Sequence, residues 1–448
     1  LKINWRLILQ VAIWACLMVG VFLLFPLPRL YFEPILVVFS GFFGLMLIFY
    51  KSSSNSKNNI WWWFLGGLLL RLILLFSFPS WSDDYARFLW DGELVELGQN
   101  PYLETPKDWL ESNPDLSTPY LKKLLGLMNS PDYYSVYPPS NQLIFWLASI
   151  GADSNSKYGI ITLRALLIFG EIVVFWVLLG LLKKHQKNVK KLILYWFNPL
   201  VILEITGNLH FEGLVLMALL LALWYLSKEK FATFGGFWAL AIGIKILPLM
   251  LVPTYVFKEK IRKAPKFWIG FAFVFGLSFL PLFYQNSWQY LLESLRLYQG
   301  KFEFNASVYY LFREVGFWIK GYNTIATLTK ILSGITLIGI VWISWKKRWN
   351  SPIELAELWV LIYLLYLILQ PVVHPWYIIP VLGLSLLTEI RSVLVWTFAA
   401  ILSYHAYSQP SFEENPMFLW IEYALVFLAL AWDWKSGAFP FKSKKLLE

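Results

Sequence analysis

Apolar runs of near-membrane length, separated by short polar breaks, recur along most of this chain. They fall approximately at 7–25, 31–50, 60–78, 159–182, 192–206, 208–226, 232–246, 248–257, 267–284, 323–345, 353–370, 375–389, 392–408 and 417–433. A helix needs about 20 apolar residues to cross a hydrocarbon core, and the alternating short strands of a barrel are absent. The pattern predicts an all-α polytopic membrane protein, with the shorter neighbouring runs pairing as half-membrane hairpins. Between 79 and 158 the pattern changes to polar turns and short amphipathic pieces. Three regions follow: N-terminal transmembrane helices over 1–78, a loop with interfacial helices over 79–158, and a transmembrane bundle with short loops over 159–448.

Charge sets the threading. Basic residues gather in few places: Lys51 and Lys57; Lys183, Lys184, Lys187, Lys190 and Lys191; Lys258, Lys260, Arg262, Lys263 and Lys266; Lys346, Lys347 and Arg348; and Lys435, Lys442, Lys444 and Lys445. The positive-inside rule puts such loops in the cytoplasm. All of them lie on one side only if the apolar piece 139–150 does not span, so it is expected along the outer surface, its start fixed by Pro138-Pro139. Both termini are then inside, and 79–158 is one large outer loop.

Composition agrees. Of 448 residues, 58% are hydrophobic and only 15% charged, against about a quarter charged in soluble domains. The net charge of +10 fits cytoplasmic loops and calls for no nucleic acid. The single Cys16 excludes an internal disulfide framework and a cysteine metal site.

Against this background a few polar clusters stand out. "SDDYARFLWDG" leaves the membrane at once into Asp83, Asp84, Arg87 and Asp91, and 84–98 reads as an amphipathic helix ending in the "GQNPY" turn. The acids either begin that helix as ordinary capping groups or include a general base for a hydroxyl. In "NPLVILEITGNLHFEG", Asn208, His210 and Glu212 interrupt apolar helices, where polar groups are costly unless they face a cavity. His210 and Glu212 point to different sides of a regular helix, and an unwound start at Gly207 would bring them together. Lys245 in "AIGIKILP" precedes a break at Pro248 and suits a phosphate or an interface. Arg164 near the outer end of its helix is a second phosphate candidate, while Arg71 and Glu171 at mid-membrane read as a structural pair. "HPWY" places His374, Trp376 and Tyr377 at a helix start, either as interfacial anchors or as a sugar-binding group.

Together, "SDDYARFLWDG", "GQNPY", "VYPPSNQLIFWL", "WFNPLVILEITGNLHFEGLVLMALLLALWYL", "FWALAIGIKILPLMLVP" and "HPWYIIPVL" occur in the order found in the GT-C superfamily. These are integral-membrane glycosyltransferases that use polyprenyl-phosphate sugars. The chain most resembles bacterial mannosyltransferase-like members and the enzyme adding the first mannose to glycosylphosphatidylinositol precursors.

The resemblance implies a GT-C-type bundle of roughly 12–14 helices. It implies inverting transfer of a hexose, mannose by preference, from a polyprenyl-phosphate donor to a lipid or glycan acceptor on the outer face. Asp83 or Asp84 would supply the catalytic carboxylate, Lys245, Arg164 and Arg87 the donor-phosphate contacts, and Tyr137, Asn208, His210, Glu212, His374, Trp376 and Tyr377 the substrate contacts. No metal ligand set is assigned, and the adjacent aspartates leave a divalent cation open. The partners are the donor, the acceptor and membrane lipids, with a bacterial inner membrane and a periplasmic site as the expected location. Two helices precede the family's usual first one. A flippase for lipid-linked sugars is the alternative, and it would need polar groups through the whole membrane thickness.

Overall fold

A computed structural model describes residues 5–54, 57–150 and 155–439. Lys442, Lys444 and Lys445 lie outside them. Among the described residues the regular structure is helical, apart from one isolated parallel bridge between Phe304 and Val372. The principal helices are α1 (Trp5–Leu24), α2 (Phe32–Ser52), α3 (Lys57–Leu72), α4 (Asp84–Glu96), α5 (Pro139–Ser149), α6 (Ser156–Lys184), α7 (Glu212–Leu226), α8 (Phe231–Ile244), α9 (Pro265–Phe279), α10 (Ile325–Lys346), α11 (Pro352–Leu369) and α12 (Pro416–Lys435). Six described segments, 32–52, 156–184, 265–286, 325–346, 352–369 and 416–435, are long and apolar enough to cross a membrane. The short helical stretch 199–207 and α7 would make a seventh, bent by 109° at 208–211. The protein is an all-α, multi-pass membrane protein.

Side-chain contacts join the basic loops into one end of the molecule. Lys190 reaches the Lys51 carbonyl at 3.4 Å, Lys187 and Lys191 meet Glu389 at 3.1 and 3.4 Å, and Lys258 meets Asn350 at 3.0 Å. The polar residues around Asp83, Glu204, Lys245 and His374 are joined by a separate set of contacts, described below. Of the Trp61-Trp62-Trp63 triple, the first two are exposed and the third is buried, as helical geometry requires of three consecutive residues beside a core.

Two buried arginines tie the bundle together. Arg71 meets Glu171 at 2.8 Å, donates to the Gly67 and Trp196 carbonyls at 3.0 and 2.9 Å, and lies 3.7 Å from the Trp196 ring. Tyr195 donates to the other Glu171 oxygen at 2.7 Å. The structural pairing expected from the sequence is therefore present, with its hydrogen bonds largely satisfied. Arg164 makes no ion pair among the described residues; it gathers the carbonyls of Leu75, Ser77, Thr206 and Gly207 at 2.5–3.1 Å. Those carbonyls belong to unwound backbone with no helical partner for them, and the guanidinium supplies the missing donors.

Helix α4 is buried nearly all round, unlike the half-exposed helix its pattern suggests. Tyr85, Phe88, Leu89, Trp90 and Leu94 are all inside, because α5, α6 and the helix Pro119–Leu127 close over it. It ends in a Schellman turn: Gly98 has φ +70°, Gly98 N–H donates to the Val95 carbonyl and Gln99 N–H to that of Leu94. Gly92 faces α5 so closely that a Cβ there would sit 2.2 Å from the Phe145 carbonyl oxygen. Backbone cannot rotate away. Gly92→Ala is therefore expected to lower stability by about 1–3 kcal/mol, read as a fall in melting temperature in detergent. An unchanged melting temperature would mean the two helices are less tightly apposed than described.

Candidate active site

The two aspartates at the start of α4 go separate ways. Asp83 occupies the cap position without capping the helix; its Oδ2 accepts from Arg29 Nη2 at 2.8 Å. Asp84 Oδ1 accepts from Asn129 Nδ2 at 3.2 Å, and its Oδ2 faces His210 Nε2 at 3.7 Å. Only Ser82 acts as a cap, its hydroxyl accepting from Asp84 N–H at 3.3 Å. Capping therefore does not account for either carboxylate.

His210 reaches Asp84 because the backbone before it is not a regular helix. Residues Ile202–Gly207 form a π-helix, a wide turn found frequently at functional sites. Leu209 then takes a left-handed φ of +68°. For a buried leucine that conformation is strained and persists only when its surroundings impose it. The detour folds the His210 ring back on Glu204, with Nδ1 2.8 Å from Oε2. Asn208 Nδ2 donates to the other Glu204 oxygen at 3.3 Å, as does the Tyr404 hydroxyl. Two segments, 202–210 and 82–84, thus converge in one chain of groups: Glu204, His210, Asp84.

Exposure is graded along this chain. The Glu204 side chain is 0% exposed, His210 3% and Asp84 23%, so Asp84 is the member able to meet a substrate. His210 Nε2 has no hydrogen-bond partner among the described residues, and 3.7 Å is too long for a direct bond to Asp84. Burial alone would raise the Asp84 carboxyl, but the charge of His210 facing it across 3.7 Å, and then the Asn129 hydrogen bond, outweigh it and hold the group below its ordinary 3.8.

The "HPWY" segment backs this arrangement. Trp376 stacks on His210 at 3.7 Å and on His374 at 4.3 Å, and His374 stacks on Phe304 at 5.0 Å. Burial pushes His374 down to about 3, so it is neutral within the stack. Protein imidazoles thus already engage the Trp376 ring proposed to stack on a sugar. Tyr377 lies under Lys245, whose Nζ is 5.2 Å from the ring.

Lys245 stands where α8 breaks, in extended conformation, and pairs with Glu212. Glu212 Oε2 is left without a partner among the described residues. The bend therefore does not join His210 to Glu212: the first serves Asp84 and the second serves Lys245. Tyr137 packs edge-on against Phe88 and Phe145 at 5.1 and 5.3 Å. Burial first, and the Asp84 charge next, push its hydroxyl well up.

Two expected phosphate contacts are engaged elsewhere. Arg87 bonds Asp91 at 2.7 Å and the carbonyls of Ser130 and Tyr133 at 3.2 and 2.8 Å. Asp91 in turn accepts from Ser135 and Gln142 at 2.6 and 2.9 Å, so this network fastens the loop after residue 128 to α4. Arg164 is committed to its carbonyls. Both are buried, with Arg87 Nη2 left without a hydrogen-bond partner among the described residues. Glu204, Arg29, Asn129 and Tyr404 were not among the sequence candidates. A carboxylate inside an apolar run was a usable signal for Glu204. Nothing local marks Arg29, which acts 54 positions away.

A multi-pass helical bundle with a carboxylate–imidazole–carboxylate chain at one set of helix breaks defines the class of protein. The chain matches the model of glycosyltransferase family 87 over residues 136–371, more than half its length, and it belongs to that family, which is of the GT-C type. It is also 26% identical over 193 residues to alpha-(1->6)-mannopyranosyltransferase A of Corynebacterium glutamicum. That match covers 41% of this chain and 36% of the relative, so the chain spans little more than a third of the relative's length. The family region contains Glu204, His210, Glu212 and Lys245; the aspartate pair precedes it.

Proposed function

We propose that this protein is an inverting glycosyltransferase that moves a hexose, mannose by preference, from a polyprenyl-phosphate donor to a hydroxyl of a lipid or glycan acceptor. Family membership supports sugar transfer, and the name of the corynebacterial relative favours mannose. The observation that carries the site is the buried Glu204–His210–Asp84 chain, with Asp84 its exposed end.

In the reaction, Asp84 accepts the proton of the acceptor hydroxyl as that oxygen bonds to the anomeric carbon. The bond from that carbon to the phosphate oxygen breaks on the opposite face, and its electron pair leaves with polyprenyl phosphate. Lys245, 25% exposed beside Tyr377, is the cation we assign to the leaving phosphate. Glu204 holds Nδ1 and the ring plane, and a carboxylate facing each ring nitrogen favours the doubly protonated imidazolium. His210 then keeps Asp84 ionised.

The basic end faces the cytoplasm by the positive-inside rule. This puts the site on the outer face, the periplasmic face in a bacterial inner membrane. The segment 79–158 is then the outer loop, flanked by the N-terminal helices and the bundle 159–448.

The test follows polyprenyl phosphate by mass spectrometry, using purified protein, polyprenyl-phosphate mannose and a panel of lipid and glycan acceptors. Acceptor-dependent release, lost in Asp84→Asn, is the expected result. Release that persists in Asp84→Asn would remove this site from the chemistry. Protein that translocates lipid-linked sugar across vesicles without releasing the phosphate would be a transporter.

Because the folded Asp84 pKa is lowered, the carboxylate stays ionised until pH falls through a value below 3.8. Base catalysis is therefore present above that value and lost beneath it. We expect kcat/KM to show no acid limb from this group between pH 7 and 5. A limb near 6 that disappears in Asp84→Asn would contradict the assignment.

A further inference from the structure

The two N-terminal helices are joined by a turn that sits against three segments around the site. The turn reads Phe25-Pro26-Leu27-Pro28-Arg29, and its prolines fix φ at two of five positions. The Leu27 carbonyl accepts from Trp81 Nε1 at 2.8 Å, and Arg29 Nη1 donates to the Trp81 carbonyl at 3.3 Å. Arg29 Nη2 holds Asp83 at 2.8 Å, and its guanidinium lies 5.6 Å from the Tyr407 ring. Phe25 packs on Gly207, where a Cβ would come within 2.5 Å of its ring. Trp81 meets Tyr404 at 5.2 Å, and Tyr404 donates to Glu204. One turn thus touches 81–83, the π-helix and the segment carrying Tyr404 and Tyr407.

Resting on the reading of Asp84 as the base, we propose that Arg29 is a positioning residue of the active site, so that the N-terminal helix pair is part of the catalytic unit. Arg29 does two things. Its fork holds both the Trp81 carbonyl and the Asp83 carboxylate, fixing the backbone that presents Asp84. Its charge offsets that of Asp83, which would otherwise stand as a like charge beside Asp84 and beside the incoming phosphate. The other groups that interact with Asp84 are His210, Asn129, the neutral His374 and the hydroxyls of Tyr137, Tyr298, Tyr377 and Tyr407. Asp83 is thereby assigned to structure and Asp84 to chemistry.

The test compares Arg29→Met, Arg29→Lys, Asp83→Asn and the double variant Arg29→Met/Asp83→Asn, with Asp84→Asn in parallel. Arg29→Met should lower kcat about tenfold and move the acid limb of kcat/KM up by about one unit, since an adjacent like charge disfavours ionisation. Arg29→Lys should restore the limb but only part of kcat, because an ammonium keeps the charge without the fork. The double variant should also restore the limb, because the uncompensated carboxylate is gone.

Melting temperatures of the wild type, Arg29→Met, Asp83→Asn and the double variant give a double-mutant cycle that needs no substrate, with a non-additive Arg29–Asp83 term expected. An Arg29→Met enzyme with wild-type kcat and limb would overturn the proposal. So would a raised donor KM as the sole change, which would make Arg29 a donor contact, and so would an additive thermal cycle. Full activity in Asp84→Asn would instead sink the proposed function, leaving the thermal coupling to stand or fall by itself.

Discussion

Replacing Asp84 with Asn is expected to cut turnover by about 10²–10⁴-fold, the range that a positioned general base contributes, while Asp83→Asn keeps most of it. The sequence offers the two residues as equals. The structure separates them: Asp83 is spent on Arg29, whereas Asp84 is the exposed end of a chain whose inner members are buried. Asparagine retains the shape and a hydrogen bond to Asn129 but has no lone pair basic enough for a hydroxyl proton. The check is single-turnover release of polyprenyl phosphate from each variant at equal folded concentration. Equal losses in both would mean that the carboxylates act as a unit, and the division of labour drawn here would fall.

The second large effect is on folding. Arg71→Met leaves Glu171 fully buried with its charge uncompensated, and breaking such a pair costs about 3–5 kcal/mol. The Tyr195 hydroxyl at 2.7 Å cannot replace a guanidinium. The protein should express poorly or melt well below wild type in detergent. Adding Glu171→Leu should recover much of the loss, since removing both charges also removes the desolvation penalty. If the double variant is no better than the single, the stabilisation lies instead in the carbonyls that Arg71 holds and its stacking on Trp196.

The long helices were legible because each is a single apolar run, and lipid selects for that regardless of neighbours. Residues 31–50, 159–182, 323–345, 353–370 and 417–433 coincide with the helices 32–52, 156–184, 325–346, 352–369 and 416–435 to within three residues at each end. The break at Lys245 was legible too, since Pro248 cannot continue a helix. The acidic helix was found within two residues, but its burial was not, because amphipathicity over one helix cannot reveal three others packed on it.

The site was half legible. Asp84, His210 and Lys245 attracted notice as polar residues in apolar or boundary settings, which is a local property. Their partners are not local. His210 was expected to be brought toward Glu212, two residues away, yet it turns back six residues to Glu204 because a π-turn and a left-handed Leu209 reverse the ordinary helical facing. Arg87 and Arg164 looked available because sequence shows a charge and not the carbonyls that consume it.

What the sequence by itself determined is the class of solvent and the element type. Apolar length and the scarcity of charge fix a helical membrane protein, and the clustering of lysines sets its ends. What only the tertiary structure decided is which polar groups are free and which are spent. That depends on unwound backbone, on carbonyls left without helical donors, and on side chains brought together from 29, 84, 204, 245 and 376. In a low-dielectric interior an uncompensated charge is costly, so buried charges are met by an opposite charge, as at Arg71 and Glu171, or by backbone carbonyls, as at Arg164, and which of these is used follows from packing.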